Sequence, residues 1–345
     1  MFKTPISLII DDSAPMVHVY RVHAESTKDG RPLADIVPNA FLDKFCALVA
    51  QYAIKGKFSI VPAPAGAGDI VNGIPGYAMS DIKYWLDTVK RRLADFFDFC
   101  PEMLTHNKAL DLRTGEYFAE DEKSWSFKQD RTALAPYISH ALKILKDAGI
   151  DATGVTSPWN FGEEVEQEYI AAIVEAQKQI YGRRISWYFL HCIFGKPGVK
   201  PWVAYKEGNV GEACAEGADG EGADGEGADV EGADGAALVS IPATVNDYFW
   251  QTIDTTRADD EYIRSIADNY ITEDGADGDI LNVLNSGGWP ILVTHWQSLF
   301  SNGLETGLKA LELVACRVDR HMMDRVEWKT SMEMTEIILE EEKSK

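Results

Sequence analysis

Short apolar runs alternate with longer segments of helical period along almost the whole chain, and few architectures accommodate that order. It is the pattern of βαβ units around a parallel sheet. The apolar runs are residues 6–10, 57–61, 102–105, 152–156, 186–190, 238–241 and 290–294. Helical spacing occupies 41–53, 81–97, 132–148, 163–180, 259–270 and 303–319, the last with a stripe of Leu304, Leu308, Leu311 and Val314. A chain of 345 residues with 46% apolar content is long enough to bury one large α/β core. Neither a Gly-x-Gly-x-x-Gly turn after the first strand nor a phosphate-binding Gly-x-x-x-x-Gly-Lys-Ser/Thr loop is present, which removes the usual nucleotide signatures.

Polar and aromatic residues gather where the predicted strands end. Asp11-Asp12 follows the first, Pro62-Ala63-Pro64 the second, Thr105-His106-Asn107 the third and Ser157-Pro158-Trp159-Asn160 the fourth; His191, Asn246-Asp247 and His295-Trp296-Gln297 follow the last three. In a β/α barrel the carboxyl ends of the strands share one face, so these groups converge although they are far apart in sequence. The expected fold class is therefore α/β, an irregular seven-stranded (β/α) barrel. It spans residues 1–325 as a single domain, with a strand and helix extension over 326–345.

One segment breaks the alternation. From Glu216 to Gly235 the chain repeats Glu-Gly-Ala-Asp-Gly with Val230 as the one large apolar side chain, too little to offset the entropy of ordering it. The expectation is a disordered acidic loop interrupting the barrel over 207–236. A calcium-binding repeat is the alternative, but the five-residue period and the missing apolar position fit it poorly. Residues 206–235 hold ten acidic side chains against one lysine, a large part of the net charge of −22. That charge disfavours nucleic acid and anionic membranes as partners. Asp11 and Asp12 end the first apolar run far short of a signal peptide or a membrane span, and the five scattered cysteines contain no Cys-x-x-Cys pair. The expected location is the cytoplasm.

Two carboxylates directly after a buried first strand, a Thr-His pair after the third and another after the last resemble the scheme of the polysaccharide deacetylase superfamily, which includes glycoside hydrolases and deacetylases on β/α barrels. The resemblance extends from Ile6 to about Val318. It implies a metal-dependent hydrolase that removes an acyl group from an amino sugar or oligosaccharide, with a divalent cation such as zinc as cofactor and a carbohydrate as substrate. Asp11 would be the general base, Asp12 and His106 metal ligands, and His295 the general acid. The family has a second histidine four residues after the first in its middle motif; here that position is Leu110, followed by Asp111. Asp111, His18 or His23 is therefore expected to complete the ligand set.

The residues themselves support a site at these positions. Adjacent carboxylates at the end of a buried strand meet low dielectric and mutual repulsion unless a cation or donors stabilise them. His18 and His23 alternate with apolar residues and are expected to line the pocket. Trp159, Trp202, Trp250 and Trp296 fall in or beside the strand-end loops, where an indole face can stack on a sugar ring, and Asn160, Asp247, Gln297 and Asn302 are candidate partners for its hydroxyls. The expected substrate-binding set is thus His18, His23, Trp159, Asn160, Asp247, Trp296 and Gln297. His140, His191 and His321 are assigned to the scaffold. Two other functions fit the same residues: a glycoside hydrolase pairing Asp11 or Asp12 with Asp247 or Glu163, and a catalytically inactive sugar-binding barrel.

Overall fold

A computed structural model describes residues 3–15, 30–208 and 235–344. Strand β1 (Thr4–Ser13) is buried from Pro5 onward, which is why its sequence is an almost unbroken apolar run. It pairs in parallel with β10 (Ile291–His295) on one side and β2 (Gly56–Ile60) on the other, and β2 pairs with β3 (Phe97–Pro101). A Cβ on Gly56 would sit 1.8 Å from the carbonyl oxygen of Leu8, so only glycine lets β2 close on β1 here. The second sheet runs β6 (Gly154–Thr156), β7 (Ile185–Phe189), β9 (Ala237–Ser240) and β8 (Trp202–Lys206), parallel except for β8.

The seven strands predicted from sequence do not form one continuous ladder. They make two sheets that meet at two seams of isolated parallel bridges, Phe99 with Ala152 and Glu102 with Thr156 at one, Val245 with Leu292 at the other. Both sheets nonetheless face one inner cluster. Ile9, Cys100, Trp187, Phe189, Val239, Ile291 and Val293 pack together, covered by Met334, Ile338 and Leu339. Those three belong to α10 (Ser331–Lys343), whose start is fixed by a capping box between Thr330 and Glu333. Just before it, β11 (Val326–Trp328) pairs with the first residues of β1.

The outer faces carry helices: α1 (Asn39–Tyr52), α2 (Met79–Arg92), α4 (Arg131–Asp147), α5 (Glu166–Tyr181), α6 (Asp260–Tyr270) and α9 (Thr306–Met322). Three shorter ones are α3 (Glu122–Ser126), α7 (Asp279–Asn285) and α8 (Trp296–Phe300). Their apolar stripes pack on the outward side chains of the strands, among them Ile6, Leu8 and Ile10 of β1, in the main core.

The third strand lies at Phe97–Pro101 and not at 102–105. Helix α2 stops at Arg92, but Leu93, Phe96 and Phe97 continue its apolar spacing and hide the boundary. Glu102 to His106 consequently form the loop beyond the strand. An antiparallel hairpin of β4 (Lys108–Asp111) and β5 (Glu116–Asp121) was not predicted, since β5 is mostly exposed and polar. His18, His23 and residues 216–234 of the acidic repeat lie outside the described residues. Among the described residues no helix is long and apolar enough to cross a membrane.

Candidate active site

At the carboxyl end of β1 the regular pleat would send Asp11 and Asp12 to opposite faces. It does not, because the β1–β2 register shifts between Ile10 and Ser13 and Asp12 takes a left-handed backbone, φ 61°. Both carboxylates therefore line one cavity of about 690 Å³. Its wall also includes Glu102, His106, Trp159, Asn160, Phe189, Asn246, Asp247, Trp250 and His295, which come from both sheets. His106, Trp159 and Asn160 share the left-handed conformation, with φ of 53°, 47° and 68°. Non-glycine residues held there cost energy, and with Asp12 four of them line this cavity.

The cavity floor is a buried group of Asp12, Glu102 and His106 with ligand atoms all within 4.8 Å of one another. Nε2 of His106 lies 2.8 Å from Oδ1 of Asp12 and 3.6 Å from Oε1 of Glu102. The other oxygen of Glu102, Oε2, accepts from the backbone N–H of Asp12 and from the hydroxyl of Ser59. Burial and the charges of Asp11 and Asp12 push the Glu102 carboxyl well above its usual range. Burial alone would raise Asp12 too, but His106 beside it outweighs burial and holds Asp12 low. Burial would depress His106; Asp12 outweighs it and pushes the imidazole up to about 9.

Beside this group Asp11 forms an ion pair with Lys57, a fully buried lysine on β2. Lys57 also donates to Oγ1 of Thr156 at 2.6 Å, across a seam between the sheets. Desolvation opposes its charge, and Asp11 outweighs that penalty and raises the ammonium above its normal value. On the far wall Nδ1 of His295 pairs with Oδ2 of Asp247 at 2.8 Å. Burial lowers the His295 imidazole, but Asp247 together with Asp12 raises it to about 10. A tryptophan meets each histidine ring in a T-shaped contact, the Trp159 and His106 centroids 4.3 Å apart and those of Trp250 and His295 4.6 Å apart.

Of the residues singled out from sequence, the structure brings together Asp11, Asp12, His106, Trp159, Asn160, Asp247 and His295. Trp250 joins them, and others are placed elsewhere. Trp296 is fully buried in the main core against Phe41, Phe45 and Phe58, because α8 turns its first residue away from the cavity. Gln297 is buried as well and reaches the backbone oxygen of Asp12, 3.5 Å from its Nε2. Asp111 sits on the β4–β5 hairpin with its carboxylate engaged by Arg113, outside the buried group. The residue that stands beside Asp12 and His106 in the buried group is Glu102, four residues before His106 and not after it. Glu163 accepts from Asn160 Nδ2 at 2.9 Å and is absent from the cavity wall. Glu102 and Lys57 escaped the sequence reading. A Glu-x-x-x-His spacing and a lysine inside an apolar strand were the signals available.

No family model matches the chain, and no curated protein matches it. A solved structure from Parabacteroides distasonis, a candidate glycoside hydrolase/deacetylase, is similar over 99% of this chain and 72% of its own, at 11% identity and a TM-score of 0.47.

Proposed function

We propose that the chain is a metal-dependent hydrolase removing an acyl group from an amino sugar, on an irregular barrel of β1, β2, β3, β6, β7, β9 and β10. The observation that carries this reading is the buried Asp12–Glu102–His106 group on the floor of an aromatic-walled cavity. Two carboxylates and an imidazole are a donor set for a divalent cation. They fit one here: the ligand atoms of all three residues are buried and lie within 4.8 Å of one another, with the carboxyl groups of Asp12 and Glu102 side by side at the cavity.

A cation at this site would polarise an acyl carbonyl and make water more acidic. Asp11, paired with Lys57, accepts the proton of the attacking water. His295, held protonated by Asp247, donates to the departing amine. Trp159 and Trp250 present ring surface to the sugar, Asn160 and Asn246 offer polar contacts, and Phe189, Leu190 and Val293 receive the acyl chain.

A glycoside hydrolase is the second reading, favoured by one observation: Asp12 and Glu102 are neighbouring carboxyls with opposite shifts. The test is metal content measured together with acetate release from N-acetylated oligosaccharides. About one divalent ion per chain, lost with acetate release in Asp12→Ala and His106→Ala, supports the deacetylase. Glycosidic cleavage by metal-free protein overturns it in favour of the second reading, and sugar binding with neither reaction leaves an inactive barrel.

A further inference from the structure

Glu122, the first residue of α3, has a side chain with no exposure to solvent, and nothing in the proposed chemistry uses it. Its carboxylate is nonetheless surrounded by donors. Oε1 accepts from the N–H of Leu104 at 3.3 Å, the N–H of Thr105 at 2.9 Å and the hydroxyl of Tyr137 at 2.5 Å. Oε2 accepts from the N–H of His106 at 2.8 Å. Three successive backbone N–H groups aimed at one point make the concave nest in which proteins bind anions, and here the anion is a side chain of the same chain.

The backbone that forms this nest needs support. Met103 and His106, at its two ends, have φ of 40° and 53°, a conformation that a non-glycine residue keeps only when its surroundings enforce it. A carboxylate without its donors, or buried N–H groups without an acceptor, would each cost a full desolvation penalty. Neither partner can leave the other cheaply. The loop is further tied to α3 by the N–H of Glu122, which donates to the carbonyl of Asn107 at 2.7 Å. Between them, residues 108–121 form a hairpin whose first and last residues, Lys108 and Asp121, pair with each other, so its base adds a second tie between the loop and α3.

The imidazole of His106 leaves the backbone at the end of this nest, and the backbone angle there sets where Nε2 points. We infer that Glu122 is a positioning residue, an internal anion that locks the Leu104–His106 backbone so that His106 stays aimed at Asp12 and Glu102. The inference rests on the metal-site reading in that the orientation it protects is that of a ligand. An aligned outer partner of this kind typically accounts for ~10- to 100-fold in metal affinity.

The test uses the full chain, Co²⁺ as the probe, and Glu122→Gln, which keeps size and polarity but turns one acceptor into a donor facing N–H groups. Folding is checked by circular dichroism. Co²⁺ affinity is expected to fall by ~10- to 100-fold with a changed visible absorption band. Glu122→Asp retains the charge with one methylene less and is expected to fall between the two. It also carries the test if Glu122→Gln fails to fold. A folded variant with wild-type affinity and spectrum overturns the inference. Failure of the wild-type chain to bind Co²⁺ would instead overturn the metal reading. The positioning is then read in metal-free protein from the ¹⁵N resonances of the His106 ring. A shift confined to the cavity supports it, and unchanged resonances overturn it.

Discussion

Glu102 and His106, four residues apart, bring Oε1 and Nε2 to 3.6 Å in the loop beyond β3. Glu102 thus joins Asp12 and His106 in the buried group, and replacing it tells a metal ligand from a mere buried acid. Glu102→Ala should lower divalent-metal affinity by more than the ~10- to 100-fold typical of an outer-shell change. Glu102→His, which restores a nitrogen donor, should keep a measurable part of it. Calorimetric titration with Zn²⁺ or Mn²⁺ reads both; wild-type affinity in Glu102→Ala would remove Glu102 from the site.

Lys57 lies wholly inside the protein and neutralises Asp11. Removing one partner of a buried pair leaves the other charge uncompensated, so Lys57→Met should destabilise the fold by about 3–5 kcal/mol. The double variant Asp11→Asn/Lys57→Met should recover much of that loss. Urea unfolding of wild type, Lys57→Met, Asp11→Asn and the double variant measures it, and additive losses in the double variant would show that the two groups do not act as a pair.

His295 should be separable from metal binding. His295→Gln is expected to retain bound metal while turnover falls by roughly a hundredfold, the usual contribution of a positioned acid. Loss of metal together with activity would instead make His295 a ligand.

The same residue predicts a pH dependence of stability. Its imidazole is raised from 6.5 to about 10, first against burial, by Asp247 and the nearby carboxylates. A group raised on folding stabilises fully below its unfolded value, and that stabilisation is lost as pH climbs through the folded one. The stability advantage of metal-free wild type over His295→Gln should therefore be greatest below about pH 6.5 and shrink towards pH 10. A difference independent of pH would contradict the ion pair with Asp247.

The ends of β8 and β9 are already joined where the acidic stretch begins and ends. Lys206 pairs with Ala237, and the N–H of Glu207 donates to the carbonyl of Ala236 at 2.7 Å. A short turn replacing residues 209–234 should leave the melting temperature and activity close to those of the full chain, since closure entropy varies slowly with loop length. A large loss of either would give this stretch a role beyond connection.

Much of the fold was legible because burial writes itself into sequence: β1, β2, β7, β9 and β10 are apolar runs, and the helices between them carry stripes. The boundary between α2 and β3 was not, since Leu93, Phe96 and Phe97 satisfy both periods. In the site, Asp11, Asp12, His106 and His295 declared themselves by standing at strand ends. Glu102 did not, because its misplacement inside a strand concealed its distance from His106. Lys57 was invisible for another reason. A lysine within an apolar run looks like an edge position until its partner, 46 residues away, is seen. Trp296 misled because an aromatic at a strand end suits a stacking platform as well as a core, and only the turn into α8 decides between them.

The thin seams between the two sheets give the polar residues a mechanical duty. Lys57 reaches over one seam to Thr156, and His295 on β10 holds Asp247 from the chain that continues beyond β9, over the other. Where the backbone ladder is reduced to single bridges, these side chains act as rivets. Whatever occupies the cavity grips both halves at once, so occupancy should register as stiffening. Amide hydrogen exchange along β6 and β10 should slow when the cavity is filled and quicken when either rivet is removed.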